Sequence, residues 1–186
     1  MEPQMIPAGF MAKKVCDTPV WLKAGAVSDI YSVSNCVSEA FCDYVKHWKH
    51  NGFWLFDSPA VIREVAAAES IDLSTHRFFY YEVYEEQYDE RRKTWEPFEP
   101  EKSFETRVVV PEERQLEGYD VVTFYAQTSP ECSPLSCNHM AESIPVNLHC
   151  LFASIDEAKS HLDGGAFDRC EPGPYRILAV FSCAAA

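Results

Sequence analysis

The same short series of residues occurs twice in this chain, and that recurrence limits the fold more than any other feature. Asn147 stands 96 positions after Asn51, and Leu151-Phe152 and Ser154 follow Leu55-Phe56 and Ser58 at the same spacing. Earlier, Asp120-Val121 lies 91 positions after Asp29-Ile30; later, Arg176 lies 99 after Arg77. An offset that grows in small steps between elements is what loop insertions produce in a copied unit. The expectation is an internal duplication of a strand, insert, strand, helix, strand unit. Its copies span about 26–84 and 119–183 within a single compact domain, 1–186.

The elements follow from apolar spacing. Val37, Ala40, Phe41, Tyr44, Val45 and Trp48 form one stripe of a helix over 36–50, opened by Ser34 or Asn35 and closed by Asn51-Gly52. Phe53-Trp54-Leu55-Phe56 and Asn147–Phe152 are short apolar runs that suit buried strands. Ser58 with Pro59 at the first helical position, and Ser154 with Glu157 three residues on, each open a helix. Strands are expected over Ala26–Val33, from Arg77 through Tyr84, over Tyr119–Ala126 and over Tyr175–Phe181.

A unit with one helix covers only one face of its strands, so two units must pair or share a sheet to bury the rest. The fold class is α+β, a mainly antiparallel sheet with helices packed on one face. A doubly wound parallel sheet would need a crossover helix between nearly all successive strands.

Charge narrows the function. With 16 bases against 29 acids the net charge is −13, which excludes a duplex nucleic-acid binder working through a basic face. The longest uncharged stretch, Ser143 to Ile155, is too short and too polar to cross a bilayer. The lysines near the start follow the small apolar patch, the reverse of a secretory signal. A cytoplasmic protein is expected, its eight cysteines held as thiols because an apolar share of 47% supplies a core without disulfides.

Between the two units lies a charged segment, 82–117, with twelve acids and six bases. It reads as an acidic-aromatic ribbon, turning at Asp89–Lys93 and returning over Lys102–Val110. Its Glu82, Tyr84, Glu86, Tyr88, Trp95 and Phe98 are the candidate partner-binding residues, since aromatic anchors inside an acidic rim suit a partner with a basic surface. The competing arrangement folds those aromatics back over the core.

The second unit's insert, 127–146, carries Pro130, Pro134 and Pro145 in place of a helical stripe. Cys132, Cys137, His139 and either His149 or Cys150 are the candidate zinc ligands, thiolate and imidazole being what a tetrahedral zinc site takes. The spacing is irregular, so no cofactor is required and zinc is the only one suggested. Two further chemistries use the same residues: a Cys132–Cys137 redox pair, and a hydrolase pairing Cys137 or Cys150 with His139 or His149. Neither brings a CxxC at a helix start or a nucleophile elbow. His47, His50, His76 and His161 suit surface roles, and Arg77 and Arg176 suit structural pairing with carboxylates ahead of ligand recognition. Without a Gly-rich phosphate loop or an HExxH helix, an enzyme is the weaker expectation. The sequence favours an acidic protein-binding module of the immunity or inhibitor type that neutralises a basic partner. The alternative is a zinc-binding protein or small-ligand enzyme using the Cys/His loop 127–150.

Overall fold

The computed structural model of the chain describes residues 4–34, 51–98, 107–124 and 131–183. In chain order the elements are β1 (Met5–Lys13), β2 (Cys16–Asp17), β3 (Asp29–Ile30), α1 (Pro59–Ala68), β4 (Arg77–Asp89), β5 (Thr94–Pro97), β6 (Arg114–Thr123), α2 (Pro134–Cys137), a 3₁₀ turn (Met140–Glu142), α3 (Ile155–Asp163) and β7 (Tyr175–Cys183). The helix expected over 36–50 lies outside the described residues, as do 127–130 of the second insert.

Local chemistry explains both long helices. Ser58 Oγ accepts from Val61 N at 3.4 Å ahead of α1, with Pro59 placed where its missing N–H has no consequence. Ser154 Oγ accepts from Glu157 N at 3.2 Å, and Glu157 Oε2 reaches back to Ala153 N at 3.1 Å. Gly164 ends α3.

The main sheet runs β1–β4–β7–β6, with β5 beside the far end of β4, and every pairing is antiparallel. Helices and sheet together make a sheet-rich α+β fold. Side-chain alternation then sorts the residues of β4. Phe78 meets α1 through the Arg63 guanidinium, 5.2 Å from its ring, and Tyr84 meets α3 through Lys159 Nζ at 4.4 Å. Phe78 and Tyr84 are an even number of residues apart, so the two long helices cover the same face. The opposite face presents Phe79, Tyr81 and Val83 beside Leu178 and Val180. Residues 31–34 cross it, with the Tyr31 ring edge-on to Phe79 at 5.0 Å.

Three expectations shift. The strand expected over Ala26–Val33 shrinks to Asp29–Ile30, which pairs only with Cys16–Asp17. The first long strand is instead β1, Met5–Lys13, where the sequence analysis expects no strand. The acidic-aromatic ribbon is not a projecting hairpin at its start: β4 lies between β1 and β7, and Tyr84 and Tyr88 are buried in the core. Its partner after the Asp89–Thr94 turn is the short β5, while Arg107–Val110 is not strand.

The runs expected as strands at 53–56 and 147–152 are turns of one construction. Asn51 Oδ1 accepts from Phe53 N (3.0 Å) and Leu55 N (3.1 Å), and its Nδ2 donates to Ala8 O at 2.7 Å. Asn147 Oδ1 accepts from His149 N (2.9 Å) and Leu151 N (3.1 Å), and its Nδ2 donates to Glu117 O at 2.7 Å. Trp54 and Cys150 both take a positive φ, 59° and 61°. Phe56 bridges to Phe10 on β1 and Phe152 to Tyr119 on β6. Each receiving strand has a register break just before a glycine, Gly9 or Gly118, with φ of 132° or 150°.

Candidate functional site

Residues 28–34 tie the two halves of the sheet together and carry most of the polar chemistry with them. Ser28 N and Tyr31 N donate to Leu148 O (2.8 Å) and His149 O (3.2 Å) in the second Asn turn. Two side-chain clusters form along this seam, one fully buried and one open to solvent at its edge.

The buried cluster centres on Asp120 of β6. Its Oδ2 accepts from Ser32 Oγ (2.7 Å) and Val33 N (3.0 Å), and its Oδ1 accepts from Ser133 Oγ at 2.6 Å. On the other edge of the sheet, Lys13 of β1 sends its ammonium to the carbonyls of Ser32 and Ser34. Burial pushes the Asp120 carboxyl above its ordinary range, while the three donors and the Lys13 charge pull the other way. With Lys13, Ser32, Ser34, Asp120 and Ser133 all in the interior, the cluster is a clamp across the seam.

The open cluster centres on His149. Its Nδ1 lies 2.5 Å from Asp29 Oδ1 and its Nε2 lies 3.4 Å from Glu117 Oε2. The imidazole stacks on Tyr31 at 3.9 Å with 12° between planes, and Tyr31 Oη accepts from Arg77 at 2.6 Å. Burial and the nearby Asp29 raise the Tyr31 phenol. Ser182 Oγ holds the second oxygen of Glu117. Both ring nitrogens therefore face carboxylates within the cluster. The cluster joins residues 28–34, β4, β6, β7 and the second Asn turn.

The candidate metal ligands separate. Cys132 Sγ donates to Asn138 at 3.7 Å, and Cys137 Sγ lies 3.8 Å from Ser34 Oγ. His139 is exposed, its Nδ1 3.1 Å from Glu142 and its ring edge-on to Trp21 at 5.3 Å. His149 belongs to the Asp29 cluster. Among the described residues no three His, Cys, Asp or Glu side chains gather in a way that would hold a metal ion.

Cys150, an alternative ligand and hydrolase nucleophile, is buried, and that burial pushes its thiol up to about 12. A thiol held protonated is a poor nucleophile at neutral pH. The sign of its effect on stability is set by the unfolded chain, where the thiol ionises near its ordinary value of 9.0. Between about 9 and about 12 unfolding releases a proton, so stability falls as pH rises, by about 1.4 kcal/mol per unit for one group. Chemical denaturation of Cys150→Ala between about pH 9 and pH 11 should show a pH slope shallower by about one proton than the parent's. An unchanged slope would refute the assignment.

Of the candidate partner-binding residues, Tyr84 and Tyr88 sit in the core beneath α3, with Trp95 packed against them. Lys159 Nζ lies 4.8 Å from the Trp95 ring. Glu82 accepts from Tyr80 Oη (3.1 Å) and pairs with Arg114 (3.7 Å), and Glu86 accepts from Tyr84 Oη at 2.7 Å. Phe98 lies against Arg176. Tyr84 and Tyr88 are internal because β4 is a central strand, while Glu82, Glu86, Trp95 and Phe98 are half-buried.

The sequence reading missed Lys13 and Asp120 as a pair. The available signal was an ionisable residue set against an apolar run, Phe10-Met11-Ala12 before Lys13 and Val121-Val122 after Asp120. The chain matches no protein-family model, no curated protein and no solved structure.

Proposed function

We propose that the chain is a cytoplasmic, acidic protein-binding module that takes a partner with a basic surface, and that it performs no catalysis. The observation that carries this is the loop between β2 and β3 of a chain with net charge −13. Val20 is 90% exposed and Trp21 39% exposed at its tip, and the neighbouring turn displays Leu148 at 52%. Ser28, at the foot of the loop, bonds to Leu148 O, and Lys23 N in the loop bonds to Glu142 at 3.0 Å, so the loop is anchored. Exposed aromatic and aliphatic groups held by a rigid base suit interface anchors, and an acidic protein steers a basic partner toward them.

The loop takes the place of the 82–117 ribbon as the proposed contact surface, because the ribbon's Tyr84 and Tyr88 are buried in the core. The immunity or inhibitor role is one form of this reading. Among the described residues no helix is long and apolar enough to cross a membrane, which is compatible with the proposed location.

We also propose that the two units arose by duplication. What supports it is the matched construction of the Asn51 and Asn147 turns and of the bulges before Gly9 and Gly118. In this register Gly118 stands 109 positions after Gly9, so β1 takes the place that the sequence alignment gave to Asp29-Ile30.

Capture from native lysate tests the binding reading. The parent should retain a protein with excess Lys and Arg, in a complex weakened by salt. Val20→Ser with Trp21→Ala should release it at least tenfold more readily while the melting temperature stays within about 2 °C, these being surface positions. Retention of the same protein by the double variant, or capture of none with a basic surface, would refute the proposal.

A further inference from the structure

The sheet face opposite the helices ends, at the start of β7, on a charged residue in apolar surroundings. Arg176 is only 8% exposed, and Leu178 and Val180 follow it on the same face. Its guanidinium carbon lies 3.4 Å from the Phe98 ring centroid and 4.0 Å from that of Phe124. Its one polar side-chain contact among the described residues is Nε to Gln87 Oε1, a long 3.4 Å. No ion pair to Arg176 occurs there, and burial lowers its guanidinium to about 9. It still carries its charge at neutral pH.

Arg77, 99 positions earlier at the matching place in β4, is built differently. It is half exposed, bonded to Tyr31 Oη and 3.9 Å from Asp29. Arg77 is satisfied, whereas Arg176 is buried with no counter-charge among the described residues. Buried charges are ordinarily paired, because an unpaired one loses its hydration with nothing in return.

A second observation marks the same spot. The β4–β7 register advances four residues on β4, Val83 to Gln87, against two on β7, Leu178 to Arg176. The bulge lets Gln87 fall opposite Arg176, and bulges of this kind re-aim side chains beside binding sites. Each ring covers part of the guanidinium with apolar surface, so polar recognition is left to its N–H edge. A fork of parallel N–H donors is complementary to a carboxylate lying in the same plane.

We propose that Arg176, flanked by Phe98 and Phe124 and steadied by Gln87, is the recognition group of a site for a small carboxylate ligand. The two rings fix the guanidinium plane before the ligand arrives, so little ordering remains to oppose binding. The site lies on the opposite sheet face from α1 and α3 and shares no residue with the proposed contact loop, so it stands independently of the protein-binding reading.

The test uses the full chain with acetate as the probe, at ionic strength held constant with chloride, and with phosphate as a separate arm. Thermal melting should show a saturable rise with acetate, with a dissociation constant on the order of millimolar for so small an anion. Arg176→Lys keeps the charge but loses the fork and should weaken that response at least tenfold. Should the variant fail to fold, the parent's Arg176 Nε–Hε resonance gives a second readout, and it should move with acetate along one saturable curve. An unmoved resonance, an equal response in Arg176→Lys, or a response to phosphate without one to acetate would overturn the assignment.

Discussion

Asp120→Ala should remove about 3–5 kcal/mol of folding stability, the cost of taking one partner out of a buried charged network. Three donors lose their acceptor at once: Ser32 Oγ, Val33 N and Ser133 Oγ. None of them can turn to water, since Ser32, Val33 and Ser133 are all buried. In a chain of 186 residues that loss lowers the melting temperature by roughly 10 °C or more. Asp120→Asn separates charge from cavity. It keeps the volume and one accepting oxygen, and a serine hydroxyl can rotate to accept from the new amide. Its loss should be about half that of the alanine variant or less. Lys13→Met keeps the stem and leaves the Ser32 and Ser34 carbonyls without their donor, at a further cost of about 2–3 kcal/mol. Denaturant unfolding of the three variants checks the order. An Asp120→Ala loss within about 1 kcal/mol of zero would mean that the 31–34 segment is not clamped through this carboxylate.

This network also shows where sequence reasoning reaches and where it stops. Ser58-Pro59 and Ser154 with Glu157 announce α1 and α3 because a cap is settled within four residues of chain. Strands β4, β6 and β7 are legible from their β-branched and aromatic runs. What failed was periodicity in short apolar stretches. Phe53–Phe56 and Asn147–Phe152 are apolar enough for strands, yet Trp54 and Cys150 turn left-handed there and only Phe56 and Phe152 bridge to a strand. The asparagine that organises each turn works through side-chain hydrogen bonds, one of them to a strand some 30 or 43 residues away. No local pattern encodes that reach. The ribbon was misjudged for a related reason. Glu82, Tyr84, Glu86 and Tyr88 alternate as an exposed hairpin would, but β1 and β7 on either side of β4 decide which face is wet. The separation of Cys132, Cys137, His139 and His149 is likewise a matter of tertiary placement that irregular spacing could not foretell. Arg176 was visible as a repeat of Arg77, although its burial was not.

The matched turns lead to the second large effect. Gly9→Ala and Gly118→Ala should each destabilise the protein by about 2–5 kcal/mol, combining backbone strain with overpacking. At φ of 132° or 150° an L side chain is strained in any surroundings. A Cβ at Gly9 would stand 2.6 Å from Phe56 O and 2.9 Å from Asn51 Nδ2; at Gly118 it would stand 2.7 Å from Phe152 O and 2.9 Å from Asn147 Nδ2. These neighbours are the parts that close each turn, so they cannot yield without breaking the Asn bonds. Asn51→Ala and Asn147→Ala approach the same joint from the other side, each freeing two amides and one carbonyl, and Asn51→Ala the Asp57 carboxylate as well. If the units are copies that kept one folding joint, the four substitutions should fall within about 1 kcal/mol of one another, and glycine and asparagine losses in the same unit should add to less than their sum. Losses in different units should be additive, because the two joints share no partner among the described residues. A tolerated alanine at one glycine beside a severe effect at the other would show that the two turns, though built alike, do not bear equally on the fold, and the case for copying would then rest on shape alone.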